Sequence, residues 1–316
     1  MKAKRIGKTN QLANRGKEPV YLDMMNDYGF KRVFGRQRGA WLLLNMLKAF
    51  LPDEFRDVTR VEHMPTELFG DADYVKRVVF DLLCSDDQGN RTIVEMQRVT
   101  QEFFAERAIT YNSRAISDSL ERGDREFDIP NVISFTILEH KLLGYENSPE
   151  YFHVFRYRDQ YGRPLSGKST ICFLELGKFS EWRGDQLKDI AFANDKEKWA
   201  YVIKHVMQMD EQDLLDEDPV FRVLLNACKL STMNHAEKEG YERSLWEYDD
   251  VKNSIRYARK EGYELGKKRG ERQGRGVGIM QGRREVAERL LAQGLAPDRV
   301  ADLCELPMVD VCSLLK

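Results

Sequence analysis

Val78-Val79-Phe80-Asp81-Leu82-Leu83, then Ser85-Asp86-Asp87-Gln88-Gly89-Asn90, then Thr92-Ile93-Val94-Glu95-Met96-Gln97 is the stretch that decides the fold. Two apolar, strand-like runs flank a segment dense in turn formers, the pattern of a hairpin. Each run carries an acid, and a carboxylate among apolar strand residues must be paired, protonated or bound to a cation. If the hairpin is centred on Gln88, Asp81 lies directly opposite Glu95. Directly opposed residues share a face, with Cβ atoms roughly 4.5–5.5 Å apart. Gln97, two residues on, shares that face. Two carboxylates so close repel unless a cation lies between them. Oxygen donors without a neighbouring Cys or His suit Mg²⁺ or Mn²⁺ better than Zn²⁺. A loop with an even number of residues shifts the pairing by one and sends the acids to opposite faces, so the reading depends on the register. Read singly, Asp81 also fits an acid paired with Arg77 or Arg91, and Glu95 fits a cross-strand salt bridge.

Working outward, 23–34 and 39–50 read as helices, punctuated by Gly35 and Pro52, with Phe30, Val33, Phe34, Trp41, Leu44, Leu47 and Leu51 at near-helical spacing. Strands are expected near 57–68, 76–84 and 91–99. A helix follows over about 101–122, ended by Gly123, with Phe103, Arg107 and Tyr111 on one face. The stretch 131–138 reads as a buried strand, 152–157 as an edge or half-exposed strand, and 169–176 as another strand. Helix, three strands, helix and further strands describe an α/β fold, a mixed sheet flanked by helices. From about 185 the chain turns helical, with Trp199, Ile203 and Val206, then Val220, Leu224 and Leu225, at helical spacing.

These residues resemble the PD-(D/E)xK nuclease superfamily, in the branch of PD-(D/E)xK nuclease family transposases related to the Rpn recombination-promoting nucleases. The resemblance covers roughly residues 20 to 180. Asn26-Asp27-Tyr28-Gly29-Phe30-Lys31-Arg32-Val33-Phe34-Gly35 is similar to the family's opening helix, D-x-x-F-K-x-x-F-G. Phe80-Asp81-Leu82-Leu83-Cys84 is similar to its first catalytic strand, Ile93-Val94-Glu95-Met96-Gln97 to its E-x-Q strand, and Arg107 with Tyr111 to an R-x-x-x-Y pattern. The resemblance implies a restriction-endonuclease-like mixed sheet, a divalent metal and phosphodiester hydrolysis in DNA. It makes Asp81 and Glu95 metal ligands, joined in the expected mechanism by the backbone carbonyl of Met96. Gln97 takes the place of the lysine that names the superfamily. An amide orients water but brings no charge, so Lys31 or Arg107 must supply the cation if either reaches the site. Asp27 and Glu67 are further acids to locate. The rival expectation is an inert nuclease-fold scaffold that binds DNA or itself.

Composition sets the remaining bounds. The chain has 316 residues, 42% of them hydrophobic, and a net charge of −2. No apolar run approaches the roughly 20 residues that span a bilayer. The first residues, Met1-Lys2-Ala3-Lys4-Arg5, have no apolar stretch behind them and are not expected to be a signal peptide. Five scattered cysteines without a CxxC pair argue against a disulfide framework, and a reducing cytoplasm is expected. Residues 1–38 carry ten Lys or Arg against three acids, and 252–289 carry twelve against five. The middle is acidic, most densely over 210–218. Basic segments neutralise DNA phosphates, or form a solvated tail and a solvated helix face.

Gly262, Gly266, Gly270, Gly274, Gly278 and Gly282 recur every fourth residue, interleaved with Lys267, Lys268, Arg269, Arg272 and Arg275. Glycine costs a helix up to about 1 kcal/mol per site relative to alanine. Two readings stay open: a helix that lets a second copy approach closely, giving a homo-oligomer, or a flexible basic linker. Either presents those five cations to DNA. Three short helices then form a helix-turn-helix-like tail. The expected divisions are a basic, disorder-prone tail at 1–19, the nuclease-like domain at 20–180, a helical annex at 181–260 and the glycine-periodic segment with its tail at 261–316.

Overall fold

The computed structural model describes residues 19–68, 78–120, 128–180, 182–183, 186–187, 194–209 and 218–315. The basic segment before residue 19, most of the acidic stretch at 210–218, Arg77 and Gly123 lie outside them. The chain divides into two compact units, Met1–Leu245 and Trp246–Lys316.

The first unit opens with helices α1 (Asp27–Phe34) and α2 (Ala40–Phe50). Helix α1 starts four residues later than its periodicity suggests. The reason is Asn26, whose side chain accepts the N–H groups of Tyr28 and Gly29 at 3.0 and 3.3 Å and ends the preceding turn. Gly29 is required by close approach, because a Cβ there would collide with the Asp23 carbonyl oxygen. Strands β1 (Val61–His63), β2 (Glu67–Leu68), β3 (Val78–Val79), β4 (Leu82–Asp86) and β5 (Arg91–Gln97) follow. The single strand expected over 57–68 is therefore split around Pro65, and that over 76–84 is split at Phe80-Asp81. Beyond them come α3 (Phe104–Ser117), β6 (Val132–Leu138), β7 (Phe152–Arg156) and β8 (Ser169–Glu175). The short ladder of β9 (Trp182–Arg183) and β10 (Gln186–Leu187) precedes α4 (Asp195–His205) and α5 (Pro219–Cys228).

Six strands form one mixed sheet in the order β1-β4-β5-β6-β8-β7. The β4–β5 hairpin is antiparallel, β5, β6 and β8 run parallel, and β7 closes the edge antiparallel to β8. All seven residues of β6 are buried, as expected of a parallel strand covered on both faces. One face of the sheet, through Leu82, Val94, Phe135, Ile137 and Leu174, packs with Phe30, Phe34, Leu47, Trp199 and Leu224 of the helices. Each such side chain contributes about 1.5–3 kcal/mol by leaving water. The other face, through Leu83, Ile93 and Val132, packs with Ala115 of α3.

Helix α3 is also pinned by a buried amide. Asn112 Nδ2 donates to Ser134 Oγ at 3.0 Å and to the Val132 carbonyl at 3.2 Å, while Ser169 Oγ donates to Asn112 Oδ1 at 2.7 Å.

Helix α6 (His235–Ala292) runs for 58 residues, so the glycine-periodic segment is helical. Its first turns belong to the first unit, where the Tyr241 hydroxyl accepts the Asp23 N–H at 2.7 Å and Glu237 pairs with Arg32 at 2.6 Å. In the second unit, α7 (Pro297–Cys304) and α8 (Met308–Ser313) share a small core with the end of α6, built on Ala287, Val300, Cys304, Leu306 and Val311. Gly294, at φ +86°, supplies the turn after α6. Among the described residues no helix is long and apolar enough to cross a membrane.

Candidate active site

The β4–β5 register is the one a turn centred on Gln88 requires. Leu82 faces Val94, Leu83 faces Ile93, Cys84 faces Thr92 and Ser85 faces Arg91. One step further sets Asp81 opposite Glu95. The turn is held by Asp86, whose carboxylate accepts the N–H groups of Gln88 and Asn90, both at 2.9 Å. Gly89 takes the left-handed conformation, φ +81°.

Asp81 is not in mid-strand. It occupies the break between β3 and β4, and that break frees its main chain to bind the other acid. The Asp81 N–H donates to Glu95 Oε1 at 3.1 Å, and the Met96 N–H donates to Asp81 Oδ2 at 2.9 Å. Each carboxylate thus grips the opposing strand while sharing the α3 face of the sheet. Among the described residues no arginine pairs with Asp81, and Arg77 lies outside them. Arg91 instead pairs with Asp118 at 3.1 Å, and the Asp81 side chain keeps 21% of its surface open to solvent.

Of the two cations considered from the sequence, Lys31 stands beside the pair and Arg107 binds the neighbouring Gln97. Lys31, on α1, holds Asp27 at 2.8 Å and stands 3.7 Å from Asp81 Oδ1. Arg107, on α3, donates to Gln97 Oε1 at 2.8 Å and also to Gln101 Oε1. Its guanidinium lies 4.7 Å from the Phe104 ring centre and 5.7 Å from that of Tyr111. Tyr111 in turn meets Phe80 edge-on, with centroids 5.4 Å apart. Gln97 gives its own amide N–H to the Val99 carbonyl at 2.8 Å.

Electrostatics follow from this placement. Burial, and then the charge of Asp81, pushes the Glu95 carboxyl up to about 8. Burial also raises Asp81, opposed by the Met96 N–H and by Lys31. Burial alone would lower Lys31, but the hydrogen bond and charge of Asp27, with Asp81 behind them, outweigh it and the net shift is upward. Two carboxylates that burial makes hard to ionise, with Lys31 beside them and Arg107 on the neighbouring Gln97, are the kind of perturbed pair that marks a candidate site.

Some residues fall elsewhere. Glu67 lies on β2 opposite Val79, in a separate two-stranded ladder. Lys267, Lys268, Arg269, Arg272 and Arg275 are exposed on α6 in the second unit. Phe103 lies outside α3, at its N-cap, and does not continue the helical face of Arg107 and Tyr111. Sequence spacing missed Gln101 as a partner of Arg107, since Gln101 precedes the helix and shares no period with it.

A family model described as PD-(D/E)XK nuclease family transposase matches residues 24–258. No curated protein and no solved structure matches the chain. The family match takes in α1, the whole sheet, α3 and both acids, well over half of the chain. The chain belongs to that family, and its sheet is of the restriction-endonuclease-like kind.

Proposed function

We propose that this member of the PD-(D/E)XK nuclease family transposases is a divalent-cation-dependent endonuclease that hydrolyses DNA phosphodiester bonds in recombination or mobile-element biology. One observation carries the reading: Asp81 and Glu95 meet across a strand break, half-buried and reluctant to ionise. That donor set fits a hard divalent ion, because a cation would relieve the repulsion that burial intensifies. Among the described residues no group of three or more His, Cys, Asp or Glu is placed to hold a metal ion, so the two carboxylates would need a backbone carbonyl and water to complete the coordination. Asp81, Glu95 and the Met96 carbonyl would hold Mg²⁺ or Mn²⁺, which polarises a phosphoryl oxygen and acidifies water when bound.

The protein's own groups supply the rest. Lys31 and Arg107 stabilise charge that develops on the phosphoryl oxygens. Gln97 anchors Arg107 with its carbonyl and keeps a second amide N–H to orient water. The cations at Lys267, Lys268, Arg269, Arg272 and Arg275 hold the DNA backbone without reading bases. Copies of the chain pair through the C-terminal helices, where a Cβ at Gly266, Gly270 or Gly274 would meet open space within 4 Å. The rival reading as an inert scaffold drew on the missing active-site lysine, and it is weakened by Lys31 beside Asp81.

The test is nicking of supercoiled DNA with Mg²⁺ or Mn²⁺. Asp81→Ala and Glu95→Gln should each slow it by about 10²-fold or more. Variants that cut as fast as the parent contradict the assignment.

A further inference from the structure

Two features meet at Phe103. Its side chain is 67% exposed, and its backbone is left-handed, with φ 58° and ψ 28°. A left-handed conformation is unfavourable for a bulky L-residue, and an N-cap position ordinarily takes extended angles. Among the described non-glycine residues only Glu305 shares a positive φ, and it ends helix α7, where a left-handed residue is a common stop. Phe103 begins a helix, so that explanation does not reach it. Its neighbour Phe104 does what an aromatic residue beside a sheet should do. It is 7% exposed and packs on Phe173 with centroids 5.9 Å apart. The left-handed turn therefore holds one ring outside while the next goes in. The Phe103 carbonyl accepts the Arg107 N–H at 3.0 Å, which fixes it one helical turn from the guanidinium bound to Gln97. Backbone strain retained beside a reactive site is a sign of function.

We propose that Phe103 is a nucleobase-stacking residue at the rim of the Asp81–Glu95 site. It takes the face of an unpaired base next to the phosphate being cut. The inference rests on the nuclease reading and names its substrate class: DNA with a single-stranded or frayed nucleotide beside the scissile bond. In an intact duplex the base faces are covered by their neighbours. A single strand exposes them, and an exposed aromatic ring is the usual platform for it, tolerant of sequence.

The experiment uses the full chain and oligonucleotides carrying 2-aminopurine, placed either in a single-stranded overhang or inside a duplex. Fluorescence and affinity are read without need of cleavage. The parent should quench the overhang probe and leave the duplex probe unaffected. Phe103→Gly should lose the quenching and bind the overhang about tenfold or more weakly. Its melting temperature should be unchanged or higher, because glycine suits the left-handed backbone. Phe103→Trp should restore quenching and affinity. The proposal is overturned if Phe103→Gly quenches and binds like the parent, or if its loss comes with a lower melting temperature that Phe103→Trp does not repair. Cleavage is read in parallel. A parent that quenches through Phe103 but never cuts keeps the stacking site and defeats the nuclease reading. A parent that cuts, with Phe103→Gly cutting overhang and duplex at parental rates, defeats the stacking site alone.

Discussion

At the scale of single residues, Asp81 and Glu95 are an arrangement that folding alone would not favour. Glu95 moves from an ordinary value of 4.5 up to about 8, through burial first and the Asp81 charge second. The native chain therefore keeps a proton that the unfolded chain has already lost. Stability contributed by this group is largest below the unfolded value and declines as pH rises towards the folded one. In chelator, the melting temperature should fall between those two values more steeply for the parent than for Glu95→Gln. Added Mn²⁺ should reduce the fall, since a cation then replaces the proton. Parallel pH profiles for the two proteins would contradict the assignment of that proton. Lys31 carries a second prediction. Lys31→Met should lower the cleavage rate on the order of 10²-fold with the fold intact, and Lys31→Arg should recover part of it. A parental rate for Lys31→Met would mean that the cation comes from elsewhere.

At the scale of elements, α3 matters because it carries Arg107 to the sheet. Asn112 anchors it, and Asn112→Ala strands Ser134, Ser169 and a strand carbonyl in a buried place. Urea denaturation should show a loss of about 2–3 kcal/mol. A loss below about 0.5 kcal/mol, the range of an ordinary surface change, would mean that the network is dispensable. The same elements show what was legible in the sequence. The hairpin was, but its register only conditionally, because turn residues mark where a loop lies and not how many residues it holds; the pairing of Leu82 with Val94 settles it. The opening and closing of strands was not. Asp81 reads as the middle of an apolar run, yet it falls at a break set by hydrogen bonds to a strand fourteen residues away. Asn112 was equally hidden, since a polar residue on a helix reads as solvated until Ser134 and Ser169 are brought beneath it. Phe103 reads as one more residue of a helical face, because no periodicity reports a left-handed φ.

At the scale of the whole molecule, the glycine-periodic segment was ambiguous for a physical reason: a basic, glycine-rich composition suits a linker and a helix groove alike. Its helix leaves the glycines at 262, 266, 270, 274, 278 and 282 facing open space. If copies pair there, Gly270→Leu with Gly274→Leu should block close approach and reduce the sedimenting mass to that of a monomer. The same substitutions should strengthen the isolated helix by about 1 kcal/mol per site. Parental mass in the double variant would place any self-association elsewhere. The basic segment 252–289, with twelve Lys or Arg against five acids, also predicts DNA affinity that falls steeply with salt. Replacing Lys267, Lys268 and Arg269 by glutamine should flatten that dependence, as read by anisotropy titrations.

The proposed chemistry requires that Asp81 and Glu95 hold one divalent ion between them. Calorimetric titration of Mn²⁺ into the parent, Asp81→Asn and Glu95→Gln tests it most directly. One saturable site is expected in the parent, and either substitution should abolish it. Binding of equal strength in all three proteins, or a parent that takes up no ion, would contradict it.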